Sequence, residues 1–224
     1  IFKKALGSVA ILAAATLVST SVTAKPLVSA AWIQYVASHE NLVLLDVRSQ
    51  KAFRAGHIAG SVRTSYPGKW RSLEEGRGTV MPTATEFARL ADSLGITPRS
   101  HVAIIAETRA PGGAATAAEI YFTLRHFGHR YVSIVDGGIA ALKANPALTL
   151  ETGPSVPTPT TGYYTNRNEL LQANLEQVFT AVGYAQMLDA RTTEQYLGLR
   201  KASYVERAGS IPGSRNLPYK WLLS

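Results

Sequence analysis

Asp46 and Arg48 stand two apart at the end of the apolar run Leu42–Leu45, and the same pair recurs as Asp189 and Arg191. An aspartate just past a strand can orient a loop or act on a proton, and an arginine beside it can add positive potential for an anionic donor. The structural alternative is a carboxylate that caps turn N–H groups and pairs with its own arginine. We prefer it for both pairs. His57 lies in the turn motif Gly56-His57-Ile58, where a histidine serves best as a hydrogen-bonding brace. His126 and His129 are three apart, but they straddle Gly128 and lack a third ligand, so no metal is assigned. Gly137-Gly138 follows a strand without a nucleotide-binding glycine pattern around it, and no cofactor is expected. The chain has no cysteine, so thiolate and disulfide chemistry are excluded for the sequence as given.

The elements that must position these residues follow from periodicity and caps. Ser29 opens a helix to about Ser38, and Leu42–Leu45 is a buried strand. Thr83 and Glu86 have capping-box spacing for a helix to about Leu94, ended by Gly95. Val102–Ala106 and Tyr131–Val135 are further strands, separated by a helix over about Gly113–Phe127. Strands alternating with helices in this way imply a parallel sheet covered on both faces, an α/β fold. Asn174 with Gln177 caps a later short helix.

The chain divides into four stretches. Residues 1–24 carry Lys3 and Lys4, then an uncharged run ending Val22-Thr23-Ala24, the pattern of a secretory signal peptide in preference to a membrane anchor. Its removal lowers the net charge from +8 to +6 and implies a secreted protein, most simply periplasmic, with no stable anchor. No run of like charges or zinc-finger spacing points to nucleic acid, and the oligomeric state is open. Residues 26–150 form a first domain, 151–164 a Pro-, Gly- and Thr-rich linker, and 165–224 a second domain.

An internal repeat joins the two domains. LLDVR (44–48) recurs as MLDAR (187–191), an offset of 143, and AGHIAGS (55–61) as AGSIPGS (208–214), an offset of 153. Phe53 is echoed by Tyr196 and Tyr66 by Tyr219. The second copy stops at Ser224, soon after these motifs, so the expectation is of a truncated second domain. The opening residue Ile1, in place of a methionine, adds the expectation of a longer natural chain.

LLDVR, GHIAG (56–60), AIIAETRAPGGAATAAEI (103–120), LRHFGH (124–129) and VSIVDGG (132–138) together resemble the rhodanese family, specifically its tandem-domain sulfurtransferases. MLDAR and GSIPGSRNLPY (209–219) carry the resemblance into the second domain. The resemblance implies a parallel sheet between helices, used twice. It also implies an activity, in which a cysteine takes sulfane sulfur from thiosulfate or 3-mercaptopyruvate and passes it as a persulfide to a thiophilic acceptor. Glu107 stands where the first domain's nucleophile would be, in a loop with Arg109, Gly112 and Gly113. The implication is a degenerate, non-catalytic first domain in which Arg109 compensates Glu107. The second domain's cysteine is expected beyond Ser224, near residue 260, with Asp189 and Arg191 as support. Two departures stand out: Ser210 replaces the histidine of the first copy, and Gln195 occupies a position where many tandem members place a substrate-holding arginine. A secreted, inactive rhodanese-like binding module is the alternative, and the fold's related phosphatase chemistry would also need a cysteine.

Overall fold

The computed structural model describes residues 24–37, 41–74, 78–109 and 111–222. Nearly all of the signal-peptide pattern, Ser38 at the expected end of the first helix, and Ala110 of the loop that carries Glu107 therefore lie outside the described residues. So does Ser224, past which the resemblance led to the expectation of a cysteine; the second copy is described only as far as Leu222. In chain order the elements are β1 (Leu27–Val28), α1 (Ala30–Val36), β2 (Leu42–Asp46), α2 (Gln50–Arg54), β3 (His57–Ile58), β4 (Val62–Arg63), β5 (Ser72–Glu74) and β6 (Gly78–Val80). There follow α3 (Ala84–Ser93), β7 (His101–Ile105), α4 (Pro111–His126), β8 (Val132–Val135), α5 (Gly138–Lys143) and β9 (Leu150–Glu151). After an extended stretch come α6 (Leu175–Ala181), β10 (Leu188–Asp189), α7 (Thr193–Tyr196) and β11 (Arg215–Asn216).

Five strands form one parallel sheet in the order β1-β8-β7-β2-β4, with Leu42 opposite His101 and Asp46 opposite Ile105 along its longest ladder. Alternation along β7 explains why both faces must be covered. Val102 and Ile104 point into a core with Leu45, Phe87, Leu90, Ile120, Leu124 and Phe127, under α3 and α4. Ala103 and Ile105 point the other way, against Ile33, Leu44, Val135, Ile139 and Leu142, under α1 and α5. Each fully buried Leu or Ile contributes about 1.5–3 kcal/mol, so these two layers hold the sheet between its helices.

The caps read from the sequence are formed. Ser29 Oγ accepts from Trp32 N at 3.2 Å, and Thr83 with Glu86 and Asn174 with Gln177 close reciprocal boxes. α4 begins two residues before the expected Gly113, because a proline suits the first helical position, where no N–H is needed. It ends at His126, and Gly128 two residues on, with a φ of +86°, turns the chain beside Asn166.

The stretch expected as a linker is extended and tied along the first copy. Gly153 N donates to Arg54 O, Thr160 N to Asp92 O, Tyr163 N to Asp92 Oδ1, and Asn166 N to Phe127 O. Tyr163 enters the α3–α4 core between Phe87 and His129.

Candidate functional site

Asp46 ends β2 with its side chain wholly buried, so its charge needs a partner. Arg48 provides it: its backbone N and Nε reach Asp46 Oδ1 at 2.9 and 3.0 Å, and Nη2 reaches Oδ2 at 2.6 Å. Nη2 also donates to Gly56 O at 3.0 Å, which ties the end of β2 to the turn before β3. Within that turn His57 stacks on Phe53 with ring centroids 3.8 Å apart, and its Nδ1 lies 3.0 Å from Phe53 O.

The second copy rebuilds the Asp–Arg–Gly part of this constellation. Arg191 N and Nε reach Asp189 Oδ1 at 2.9 and 3.0 Å, Nη2 reaches Oδ2 at 2.5 Å, and Nη2 donates to Gly209 O at 2.8 Å. The strand register repeats as well: Leu45 pairs with Val62 and Asp46 with Arg63, as Leu188 pairs with Arg215 and Asp189 with Asn216. Hydrogen bonding to Arg191 holds the Asp189 carboxyl below the usual carboxylate range. Ser210, at the position of His57, is exposed.

What differs is burial. Leu45 is 0% exposed and its counterpart Leu188 58%; Ile58 is 3% exposed and Ile211 44%. The Arg48 side chain is 6% exposed and that of Arg191 43%. In the first copy β7, β8 and α5 cover this region, whereas β10 pairs with β11 alone among the described residues. The second constellation therefore keeps its geometry in a far wetter setting.

The first copy's loop runs from the end of β7 to the start of α4. Glu107 and Arg109 are both exposed, and among the described residues no ion pair joins them. The expected charge compensation is thus not a contact: each group keeps its hydration, and a surface pair returns at most about 1 kcal/mol for ordering two side chains. Gly113 is where the loop closes tightly, since a Cβ there would stand 2.0 Å from Glu107 O. Gly112, one residue earlier, has open space.

His126 and His129 are both buried, with separate partners. His129 lies with Nδ1 2.9 Å from Tyr163 Oη and Nε2 2.9 Å from Ser100 O. Desolvation lowers its pKa to about 4. His126 accepts from Arg167 Nε at 3.4 Å, and burial followed by the Arg167 charge lowers its pKa.

Three features escaped the sequence reading. Gln195 caps α7 through a box with Thr192, a T-x-x-Q signal that was present in the sequence. Pro67-Gly68-Lys69-Trp70 and Pro218-Tyr219-Lys220-Trp221 form matching turns, Trp70 N on Pro67 O at 2.8 Å and Trp221 N on Pro218 O at 2.9 Å. Third, Arg71 binds Glu119 and Thr123 of α4, a long-range choice with no local signal. Arg71, Ala114, Ala118, Phe122, Arg191 and Gln195 are among the residues lining a cleft of about 800 Å³ between α4 and the second copy.

The rhodanese-like domain family model matches residues 29–145, which hold four of the five strands of the main sheet, β2, β4, β7 and β8. A thiosulfate sulfurtransferase of Cricetulus griseus is 29% identical over 183 residues, 77% of this chain and 58% of that protein. A putative thiosulfate sulfurtransferase, SseA, of Mycobacterium tuberculosis is 32% identical over 193 residues, 82% of this chain and 59% of that protein. The chain thus spans a little under three fifths of the length of these relatives. Among solved structures, the 3-mercaptopyruvate sulfurtransferase of Leishmania major superposes with a TM-score of 0.67 at 21% identity, over 88% of this chain and 55% of that one. SseA of Escherichia coli gives 0.67 at 22% identity, over 86% and 74%. With the family model matched over half of its length, the chain belongs to the rhodanese-like domain family.

Proposed function

We propose that the protein carrying this chain is a sulfurtransferase that moves sulfane sulfur from thiosulfate or 3-mercaptopyruvate to a thiophilic acceptor. In this reading residues 26–150 are a non-catalytic scaffold, 151–164 the connection, and 165–224 the first part of the catalytic domain. The chemistry requires a cysteine thiolate that attacks the outer sulfur of thiosulfate; the S–S bond breaks, sulfite leaves with its electron pair, and a persulfide remains for the acceptor. The 224 residues contain no cysteine, so this reading assigns the nucleophile to sequence beyond Ser224. Glu107 cannot substitute, because a carboxylate accepts no sulfur and repels an anionic donor. The signal pattern of residues 1–24 supports secretion, with the periplasm as the simplest compartment.

The observation that carries this reading is the repeated Asp–Arg–Gly constellation, complete around Asp46 and rebuilt around Asp189. Formation of thiocyanate from thiosulfate and cyanide tests it. The chain as given should yield background only, and a longer reading frame with a cysteine loop ahead of a helix should yield turnover. Background from that longer protein as well would overturn the enzyme reading and leave an inactive binding module.

A further inference from the structure

The cleft between α4 and the second copy has a volume of about 800 Å³, within the range of small-molecule sites. Ala114, Ala118 and Phe122, four residues apart in turn, place one continuous face of α4 along it. The wall's two guanidinium groups are each matched by a carboxylate. Arg71 gives Nη2 to Glu119 and Nη1 to Trp70 O at 2.7 Å and Thr123 Oγ1 at 2.9 Å. Arg191 gives Nε and Nη2 to Asp189. The other polar side chains of the wall, Gln172, Gln195 and Tyr219, are neutral donors and acceptors.

A site of this kind discriminates by charge. A dianion entering it would lose hydration without meeting an uncommitted cation, whereas an apolar body gains by covering alanine, phenylalanine and methionine surface. We propose that the cleft binds an uncharged sulfur compound with an apolar body, and that thiosulfate is not its ligand. The word sulfur rests on the sulfurtransferase reading; the preference for a neutral, apolar ligand rests on the wall alone.

Calorimetric titration of the 224-residue chain near neutral pH, with benzyl mercaptan, benzyl alcohol and thiosulfate in turn, tests the proposal. Benzyl mercaptan is expected to bind at least about tenfold more tightly than thiosulfate. Ala118→Trp, at an exposed position of α4, should fill the cleft and weaken that binding about tenfold without shifting the thermal midpoint. Thiosulfate binding as tight as the thiol would overturn the neutral-ligand claim, and thiol binding indifferent to Ala118→Trp would overturn the location. Benzyl alcohol binding as tightly as the thiol would remove the sulfur preference alone, and no saturable binding would overturn the site. None of these outcomes depends on turnover, so a failed thiocyanate assay leaves them standing.

Discussion

Burial keeps the His129 imidazole neutral, and because Ser100 O can only accept, Nε2–H donates to it while Nδ1 accepts from the Tyr163 hydroxyl across 2.9 Å. The connection between the two copies is therefore fastened to the core through a group that must stay unprotonated.

Burial lowers the His129 pKa from 6.5 to about 4. The unfolded chain thus binds the proton first, and stability present above about pH 6.5 is lost as pH falls toward 4, by at most about 3 kcal/mol for this residue. His101 and His126, also lowered by burial, act in the same direction. Thermal melts across this range should show a shallower pH slope for His129→Gln than for the unaltered chain. Tyr163→Phe should keep most of the slope, because burial is its main cause, while costing about 1–3 kcal/mol at every pH for the lost partner.

Removing the same carboxylate from the two constellations should have unequal cost. Asp46→Ala strands a buried guanidinium, and denaturant titration should show a loss of about 3–5 kcal/mol. Asp189→Ala leaves an Arg191 that is 43% exposed and can rehydrate, so its loss should not exceed about 1 kcal/mol. Equal losses would mean that the second copy is buried as deeply as the first.

Neighbouring glycines after the β7–α4 loop should separate in the same way. Gly113→Ala drives a methyl into the Glu107 carbonyl and should cost about 1–3 kcal/mol in a thermal or denaturant melt. Gly112→Ala meets open space in the first turn of α4 and should be neutral or stabilising by up to about 1 kcal/mol.

Much of this architecture was legible because it is local or repeated. Thr83 with Glu86 and Asn174 with Gln177 announce helix starts through their own backbone bonds, and the apolar run of β7 needs no knowledge of its neighbours. The Asp–Arg pairs were visible because the motif occurs twice at nearly one spacing. Sheet order was not, since β7 joins β2 and β8 through contacts remote in sequence. Nor were Asp92 with Tyr163 or Arg71 with Glu119, each separated by many residues with no periodic signature. Gln195 shows the opposite failure, a local cap obscured by attention to a binding role.

The fastening of the connection at Asp92, Phe127 and His129 has a consequence for how weakly the second copy can afford to adhere. The last anchor, Asn168 N on His126 O, lies only a few residues before the cap of α6 at Asn174. So short a tether confines the following elements near α4 at an effective concentration on the order of millimolar or above. Contacts too feeble to assemble two separate molecules then suffice to populate the docked arrangement.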